Sequence, residues 1–206
     1  MSLTEHAKSL VATLDDEIVH LCAVFSTYRH LYQDEQKTQE LLSNSDCAFF
    51  SDLYIVYLSY ISVAVSRLLD PEKTGNKSNL TLFTLISVLK SEKYSQANKF
   101  EQRLRDIKSR AYNFIEPRNQ LVSHLDYKAN NRDARKKAIP SFITSEFEEF
   151  YTDVSILMND IRSVLGLPPN IYSCGIVGHG CGRKLVARLQ TADNYIQINS
   201  RTNQST

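Results

Sequence analysis

The chain has 206 residues, of which 23% are charged, and its formal net charge is +1. This length suits one domain with a full hydrophobic core, and the balanced charge excludes a protein that attracts polyanions over its whole surface. The four cysteines have no regular spacing, and the N-terminal residues lack the basic-then-apolar pattern of a secretory signal. We therefore expect a cytoplasmic protein in a reducing compartment, with no membrane partner.

The first part of the chain is predicted to be helical, because no proline or glycine precedes Pro71. A first helix is predicted over residues 4–33, and a second over 46–69. The second helix is apolar on nearly every side, and serine and arginine residues interrupt it, which predicts a central core helix rather than a membrane span. The stripe of the first helix recurs at steps of three and four and consists of Leu10, Leu14, Ile18, Leu21, Phe25, Tyr28 and Tyr32.

A loop over 71–79, with its turn at Gly75-Asn76, separates these helices from the rest of the bundle. Ser78 or Asn79 is predicted to cap a short helix over 80–90. A fourth helix is expected over 95–115, and Pro117 then begins a new helix or follows a kink in one. The inward side of the fourth helix is predicted to consist of Phe100, Leu104, Ile107 and Ala111.

The last helix of the bundle is predicted to open with a capping box, Ser145-x-x-Glu148, and to end at Gly166. Its inward residues recur at helical steps and are Phe147, Phe150, Val154, Leu157, Ile161 and Leu165. The fold class that follows is all-α: an antiparallel bundle of about five helices over 1–169. Residues 170–206 form a separate extension, which contains four of the six glycines. We expect this extension to be a glycine-rich turn that leads to a short strand or helix, with a β-hairpin as one form, and we expect its tail from Asn199 to be disordered.

The segment Glu116-Pro117-Arg118-Asn119-Gln120-Leu121-Val122-Ser123-His124-Leu125-Asp126 combines residue types that handle phosphates. An arginine offers a planar fork of donors to phosphate oxygens, and a histidine exchanges its proton near neutral pH. Phosphodiester chemistry without a metal needs a base, an acid and a cation, and this segment supplies them. By spacing alone, the commoner explanation is an amphipathic helix whose apolar residues point inward and whose polar residues are solvated.

Basic residues are concentrated around this segment. Residues 101–137 contain ten Lys or Arg against five Asp or Glu. A solvated helix face is the ordinary explanation of such a run, but here the excess lies on both sides of the Arg–His motif, where a polyanion would need it. The predicted phosphate contacts are Arg110, Arg132, Arg135, Lys136 and Lys137.

The extension contains a second candidate site, formed by Cys174, His179 and Cys181. Structural zinc takes four protein ligands at tighter, paired spacings, and only three candidates are present here. The glycines also suggest a phosphate cradle, but no Gly-Lys-Ser/Thr sequence completes one. We therefore predict no metal and no cofactor.

Two segments together resemble a known family. Arg118-Asn119-x4-His124 is similar to the Arg-polar-x(n)-His motif of the HEPN superfamily, which comprises small helical bundles of prokaryotic defence and toxin–antitoxin systems. The run from 118 to 126 is most similar to the AbiU-like abortive-infection branch. So is Ser66-Arg67-Leu68-Leu69-Asp70-Pro71, which is followed after the loop by Asn79-Leu80-Thr81-Leu82.

This resemblance implies a metal-independent endoribonuclease that acts as a homodimer, with RNA as its substrate and a cognate antitoxin or nucleotidyltransferase as a further partner. His124 would transfer protons, Arg118 would stabilise charge on the phosphate, and Asn119 would position the phosphate or orient His124. Asp126 would hold the imidazole tautomer or serve in a cap or salt bridge, and Ser123 is a further supporting residue. An inactive helical module that binds a nucleotide or a protein partner is the alternative that the sequence leaves open.

Helical geometry connects this chemistry to dimerisation. Six residues of an α-helix turn through about 600°, which leaves Arg118 and His124 about 120° apart and roughly 9 Å apart along the axis. The two side chains therefore do not share one narrow stripe. In a two-fold dimer, Arg118 of one subunit can approach His124 of the other, so the enzyme hypothesis requires a dimer. We expect the dimer to bury Leu121, Val122 and Leu125.

Overall fold

The structure is a computed structural model, and it describes residues 3–33, 36–117, 144–172 and 182–203. In these ranges the fold is all-α, with seven helices and one two-stranded sheet, as the sequence predicts. The helices are α1 (Leu3–Tyr32), α2 (Gln36–Leu69), α3 (Leu82–Ser91), α4 (Ala97–Arg110), α5 (Tyr112–Pro117), α6 (Thr144–Val164) and α7 (Gly182–Asn203). The strands are β1 (Lys73–Thr74) and β2 (Lys77–Ser78).

The chain divides into two compact units. The first, unit 1, comprises Met1–Cys22 and Ser59–Ser173, and the second, unit 2, comprises Ala23–Leu58 and Cys174–Thr206. The long helices α1 and α2 each contribute to both units. The predicted division at residue 169 remains a prediction.

The core of unit 1 contains the residues of α4 and α6 that the sequence predicts to point inward. The predicted residues of α4 are all buried, and so are those of α6. Gly166 ends α6 with a φ of +68°. The backbone N–H of Gly166 donates to Ser163 and that of Leu167 donates to Arg162, the paired bonds of a Schellman motif. The buried residues of α6 are Phe147, Phe150, Tyr151, Val154, Leu157, Met158 and Ile161.

The β-hairpin between α2 and α3 occupies the predicted loop. Its strands pair antiparallel around Gly75, whose φ is +59°. The side chain of Asn79 donates to the carbonyl of Pro71 and to the hydroxyl of Thr74, both at 2.8 Å, so Asn79 closes the hairpin. The residue that caps α3 is Thr81, which accepts from the backbone N–H of Thr84 at 3.2 Å. The prediction of Ser78 or Asn79 as the cap was therefore wrong.

Unit 2 contains a cluster of tyrosine rings. The rings of Tyr28 and Tyr32 on α1 lie 5.9 Å and 5.2 Å, centroid to centroid, from the ring of Tyr54 on α2. The hydroxyl of Tyr32 donates to the carbonyl of Phe50 at 2.8 Å. These tyrosines therefore serve core packing. Within unit 2, a second cluster joins α7 to α1 and α2 through the buried residues Leu31, Leu41, Leu42, Phe50 and Val186.

The structure differs from the sequence predictions at α2. Helix begins at Gln36, ten residues before the predicted start, because Leu41 and Leu42 are buried in the unit 2 core. Asp46 has extended backbone angles within α2, and its carboxylate accepts from the N–H of Phe49, so it caps the predicted second segment. That segment is not buried on all sides, since Phe49 is 56% exposed and Val56 is 60% exposed.

The structure also differs from the sequence prediction in parts of three further helices. The expected helix over 95–115 is broken at Ala111, and Pro117 lies in α5 after this break, so it does not begin α5. Ser145 lies inside α6, so it is not that helix's cap. In the extension, residues 182–203 form α7, which is the expected helix rather than the β-hairpin, and this helix includes residues 199–203, for which the prediction of disorder was wrong.

Two further findings concern expectations about compartment and membrane. Cys22 is buried and disulfide-bonded, whereas Cys47 is exposed with a free thiol. Among the described residues, α2 alone is long and apolar enough to cross a membrane by length and composition. A third of its most apolar window is buried inside the protein, and core helices can pass the same test.

Candidate functional site

Most of the predicted site lies outside the described residues. This applies to Arg118, Asn119, Ser123, His124 and Asp126, and likewise to the predicted phosphate contacts Arg132, Arg135, Lys136 and Lys137. Leu121, Val122 and Leu125, the predicted dimer face, also lie there, as do Cys174, His179 and Cys181. Of the predicted site residues, the structure describes Arg110. The structure also describes the two helices that flank the 118–143 segment.

The end that precedes Arg118 is α5, which is anchored by Phe114. This ring is 1% exposed and lies edge-on to Phe147 at 5.8 Å, with Phe150 at 6.2 Å. The backbone carbonyl of Phe114 accepts a hydrogen bond from the buried hydroxyl of Ser62 on α2. Aromatic contacts and a buried hydrogen bond thus fix the position of α5 in unit 1.

The other end of the segment is α6, which starts at Thr144 beside α5. Phe147 and Phe150, the contacts of Phe114, lie in its first two turns. The side chain of Asn113 on α5 also donates to the carboxylate of Glu146 at 3.2 Å. The described residues on either side of the 118–143 segment, in α5 and at the start of α6, are therefore in contact with each other within unit 1.

Arg110, the described member of the predicted phosphate contacts, already has an anionic partner. Its guanidinium Nη2 lies 2.7 Å from Oδ2 of Asp153 on α6. Glu146 and Glu149 line the same shallow cavity of about 220 Å³. A phosphate that binds Arg110 would meet three carboxylates, so its binding there requires competition with Asp153.

The acidic side of α6 was missed by sequence reasoning. Its signal was present, since Glu146, Glu149 and Asp153 recur at steps of three and four and so share one helix face. The sequence prediction uses only Glu148 from this part of the helix, as part of a capping box. The aromatic cluster beside this face includes Tyr151, and burial raises the pKa of its phenol from its ordinary value of 10 to about 12.

The described residues contain no cluster of metal-ligating side chains. In residues 3–33, 36–117, 144–172 and 182–203, no group of three or more His, Cys, Asp or Glu side chains is placed to hold a metal ion. The predicted absence of a metal and of a cofactor remains a prediction.

Comparison with known proteins gives one match. The sequence model of the family described as AbiU2, HEPN_AbiU2, matches residues 4–173. No curated protein and no solved structure matches the chain. The matched range includes the Arg–His motif and the Arg67-Leu-Leu-Asp-Pro71 segment, and it ends before α7.

Proposed function

Because the chain belongs to the AbiU2 family of HEPN proteins, we propose that it is a metal-independent endoribonuclease of a prokaryotic phage-defence or toxin–antitoxin system. The observation that carries the proposal is the Arg118-Asn119-x4-His124 motif inside the matched range. Family membership supports an abortive-infection role, and the residue types of the motif support the reaction.

The proposed reaction uses the ribose 2′-OH as nucleophile. A base removes its proton, the oxygen attacks the adjacent phosphorus, and an acid protonates the departing 5′ oxygen. His124 supplies the proton transfer, and Arg118 stabilises the charge that develops on the phosphate oxygens. The products are a 2′,3′-cyclic phosphate and a free 5′-OH, and DNA is not cleaved because it lacks the nucleophile.

The homodimer belongs to the same proposal. Arg118 and His124 lie about 120° apart on a straight helix, so one copy of the motif does not present both side chains to one phosphate. A two-fold axis through the motif brings Arg118 of one subunit toward His124 of the other. The contacts between α5 and α6, the helices that flank the motif-bearing segment, are compatible with this arrangement.

The test is cleavage of RNA by the purified protein in the presence of EDTA. We expect cleavage by the wild type and a loss of roughly 10²–10⁴-fold in His124→Ala, with the circular dichroism spectrum unchanged. Arg118→Ala should be comparably severe, and Arg118→Lys should restore part of the rate, since an ammonium lacks the planar fork. A folded wild type that cleaves no RNA under any condition would instead support the inactive binding module.

A further inference from the structure

A cleft of about 670 Å³ opens between α3 and α4 in unit 1. It contains none of the predicted site residues and shares no lining residue with the cavity beside Arg110. Sites for small molecules have volumes of about 300–1,000 Å³, so the cleft is large enough for one. Its apolar part is formed by Pro71, Phe83 and Ile86.

The cleft has more positive than negative side chains. Lys90 and Arg105 both bind the carboxylate of Glu101, at 2.5 Å and 3.0 Å. One carboxylate therefore serves two cations, and the two cations lower its pKa through these hydrogen bonds. Arg105 uses one N–H for this contact, and its side chain is 63% exposed, which leaves its fork accessible from solvent.

Lys108 adds a charge that no described carboxylate neutralises. Its ammonium donates to the backbone carbonyl of Leu69 at 2.8 Å and lies 5.4 Å from the ring centroid of Phe83. Both contacts are to neutral groups, so the full positive charge remains in the cleft. Arg105 and Lys108 are three residues apart on α4 and thus lie on the same face of that helix.

The remaining lining residues indicate the chemistry of the uncharged part of an anionic ligand in this cleft. Phe83 and Ile86 offer an apolar surface to a flat or hydrophobic group. Glu72 accepts hydrogen bonds, and the hydroxyls of Ser87 and Ser109 donate and accept them. A hydrocarbon chain would leave these polar groups unpaired, whereas a planar ring with its own donors and acceptors would pair with them.

We propose that the α3–α4 cleft binds a phosphate monoester with a planar, hydrogen-bonding body. Arg105 and Lys108 hold the phosphate, Phe83 contacts the ring, and Glu72 accepts from its N–H groups. A phosphate monoester carries nearly two negative charges near pH 7, and the three cations of the lining, Lys90, Arg105 and Lys108, attract it more strongly than they would attract a single charge. The chemistry has two sources, a free mononucleotide or the 5′-phosphate end of an RNA strand.

Isothermal titration calorimetry of the full chain tests this inference with matched probes. The small probes are inorganic phosphate, phenyl phosphate, phenol and uridine 5′-monophosphate. The RNA probe is a 2′-O-methyl tetranucleotide with or without a 5′-phosphate, and it cannot be cleaved because it lacks a free 2′-OH. We expect uridine 5′-monophosphate to bind more tightly than inorganic phosphate, and phenol not to bind. A tetranucleotide that binds only when 5′-phosphorylated, and more tightly than the mononucleotide, identifies the RNA end as the source.

Three variants locate the binding. Arg105→Gln and Lys108→Met should each weaken the binding of phenyl phosphate about tenfold. Phe83→Leu should lower the affinity for phenyl phosphate toward the affinity for inorganic phosphate. The control is Arg103→Gln, which also removes one positive charge from α4. Arg103 is suited to this purpose because it pairs with Asp160 and does not line the cleft. Arg105→Gln keeps the test valid if Lys108→Met does not fold, since Arg105 is exposed.

The inference is overturned if uridine 5′-monophosphate binds no more tightly than inorganic phosphate. It is also overturned if Arg103→Gln weakens binding as much as Arg105→Gln does, since the effect would then follow net charge rather than the cleft. Neither result concerns RNA cleavage by His124, which the chelator assay measures separately.

Discussion

At the scale of single residues, Asp15 connects three parts of unit 1. It lies on α1, is 6% exposed, and accepts hydrogen bonds from the guanidinium of Arg162 on α6 and from the hydroxyl of Tyr172. Arg162 also donates through Nε to the carbonyl of Pro168 at 2.7 Å. One buried carboxylate thus holds the C-terminal end of α6 and the segment after it against α1.

We expect Arg162→Met to lower the free energy of unfolding by about 3 kcal/mol, because it leaves the buried Asp15 carboxylate without its cation. The control is Arg67→Met, which breaks the ion pair with Glu17. Both of those side chains are more than a third exposed, so the change should stay within about 0.5 kcal/mol. Urea denaturation of both variants measures the difference, and equal losses would show that burial of the pair is not the cause.

Asp15 also predicts a pH dependence. Burial raises the pKa of its carboxyl above the usual 3.8, and hydrogen bonds from Tyr172 and Arg162 offset part of that effect. Since the folded-state pKa lies above the unfolded one, the folded state keeps a proton that the unfolded state has lost. This group therefore adds stability as the pH falls from above its folded pKa toward 3.8.

The comparison variant for this pH effect is Asp15→Asn, which does not titrate. We expect the wild type to gain stability relative to Asp15→Asn as the pH is lowered from 7 to 4, because the two proteins share every other titrating group. Urea denaturation at several pH values measures the difference. A difference that is constant or that shrinks on acidification would contradict the raised pKa.

At the scale of helices, Gly182, the first residue of α7, lies in close contact with α1. A Cβ atom at Gly182 would lie 2.9 Å from the carbonyl oxygen of Thr27 and 3.0 Å from Cβ of His30. Gly182→Ala should therefore destabilise unit 2 by about 1–3 kcal/mol, since α7 has to move away from α1. The loss should be visible as a lower melting temperature, and an unchanged melting temperature would show that α7 shifts freely.

The pairing of α4 with α6 allows a test of Arg110 as a phosphate contact. Asp153→Asn releases Arg110 and removes one negative charge, so RNA binding should strengthen about threefold to tenfold at low salt. Asp160→Asn is the matched control, because it releases Arg103 from the same pair of helices. Fluorescence anisotropy in a His124→Ala background measures binding without cleavage. Equal gains in both variants would exclude a specific role for Arg110.

At the scale of the whole molecule, the proposed composite site predicts complementation between inactive subunits. A mixed dimer of Arg118→Ala and His124→Ala subunits keeps one intact pair, with Arg118 from one subunit and His124 from the other. Equal mixing and exchange should restore about a quarter of the wild-type rate, because half of the dimers are mixed and each keeps one of its two sites. No recovery, with exchange confirmed, would place both residues in one subunit.

Two substitutions distinguish the predicted dimer interface, at Leu121, Val122 and Leu125, from an interface formed by the exposed apolar residues of α2. Val122→Glu should convert the protein to a monomer in light scattering and abolish cleavage, because it places a charge in the proposed interface. Val56→Glu is the control, since Val56 is 60% exposed and belongs to unit 2. A dimer lost in Val56→Glu but kept in Val122→Glu would move the interface to α2.

The sequence by itself determined the helical fold class, the buried stripes of α4 and α6, and the stripe of α1 except at Leu10 and Tyr32, which are partly exposed. It also located the turn at Gly75, the end of α6 at Gly166 and the motif that identified the family. These features are local. A helix repeats every 3.6 residues, so its buried side appears as a period in the sequence, and a glycine with positive φ marks a turn or a helix end wherever it stands.

Only the tertiary structure decided which distant side chains meet. It paired Arg110 with Asp153, joined Asp15 to Arg162, and added the 36–45 part of α2 to the core of unit 2. It also opened the cleft between α3 and α4. Such pairs depend on how helices pack against one another, and residues far apart in sequence carry no periodic sign of their contact. Charge on one helix face can therefore be read from the sequence, but whether that charge is free or already neutralised is decided by the neighbouring helix.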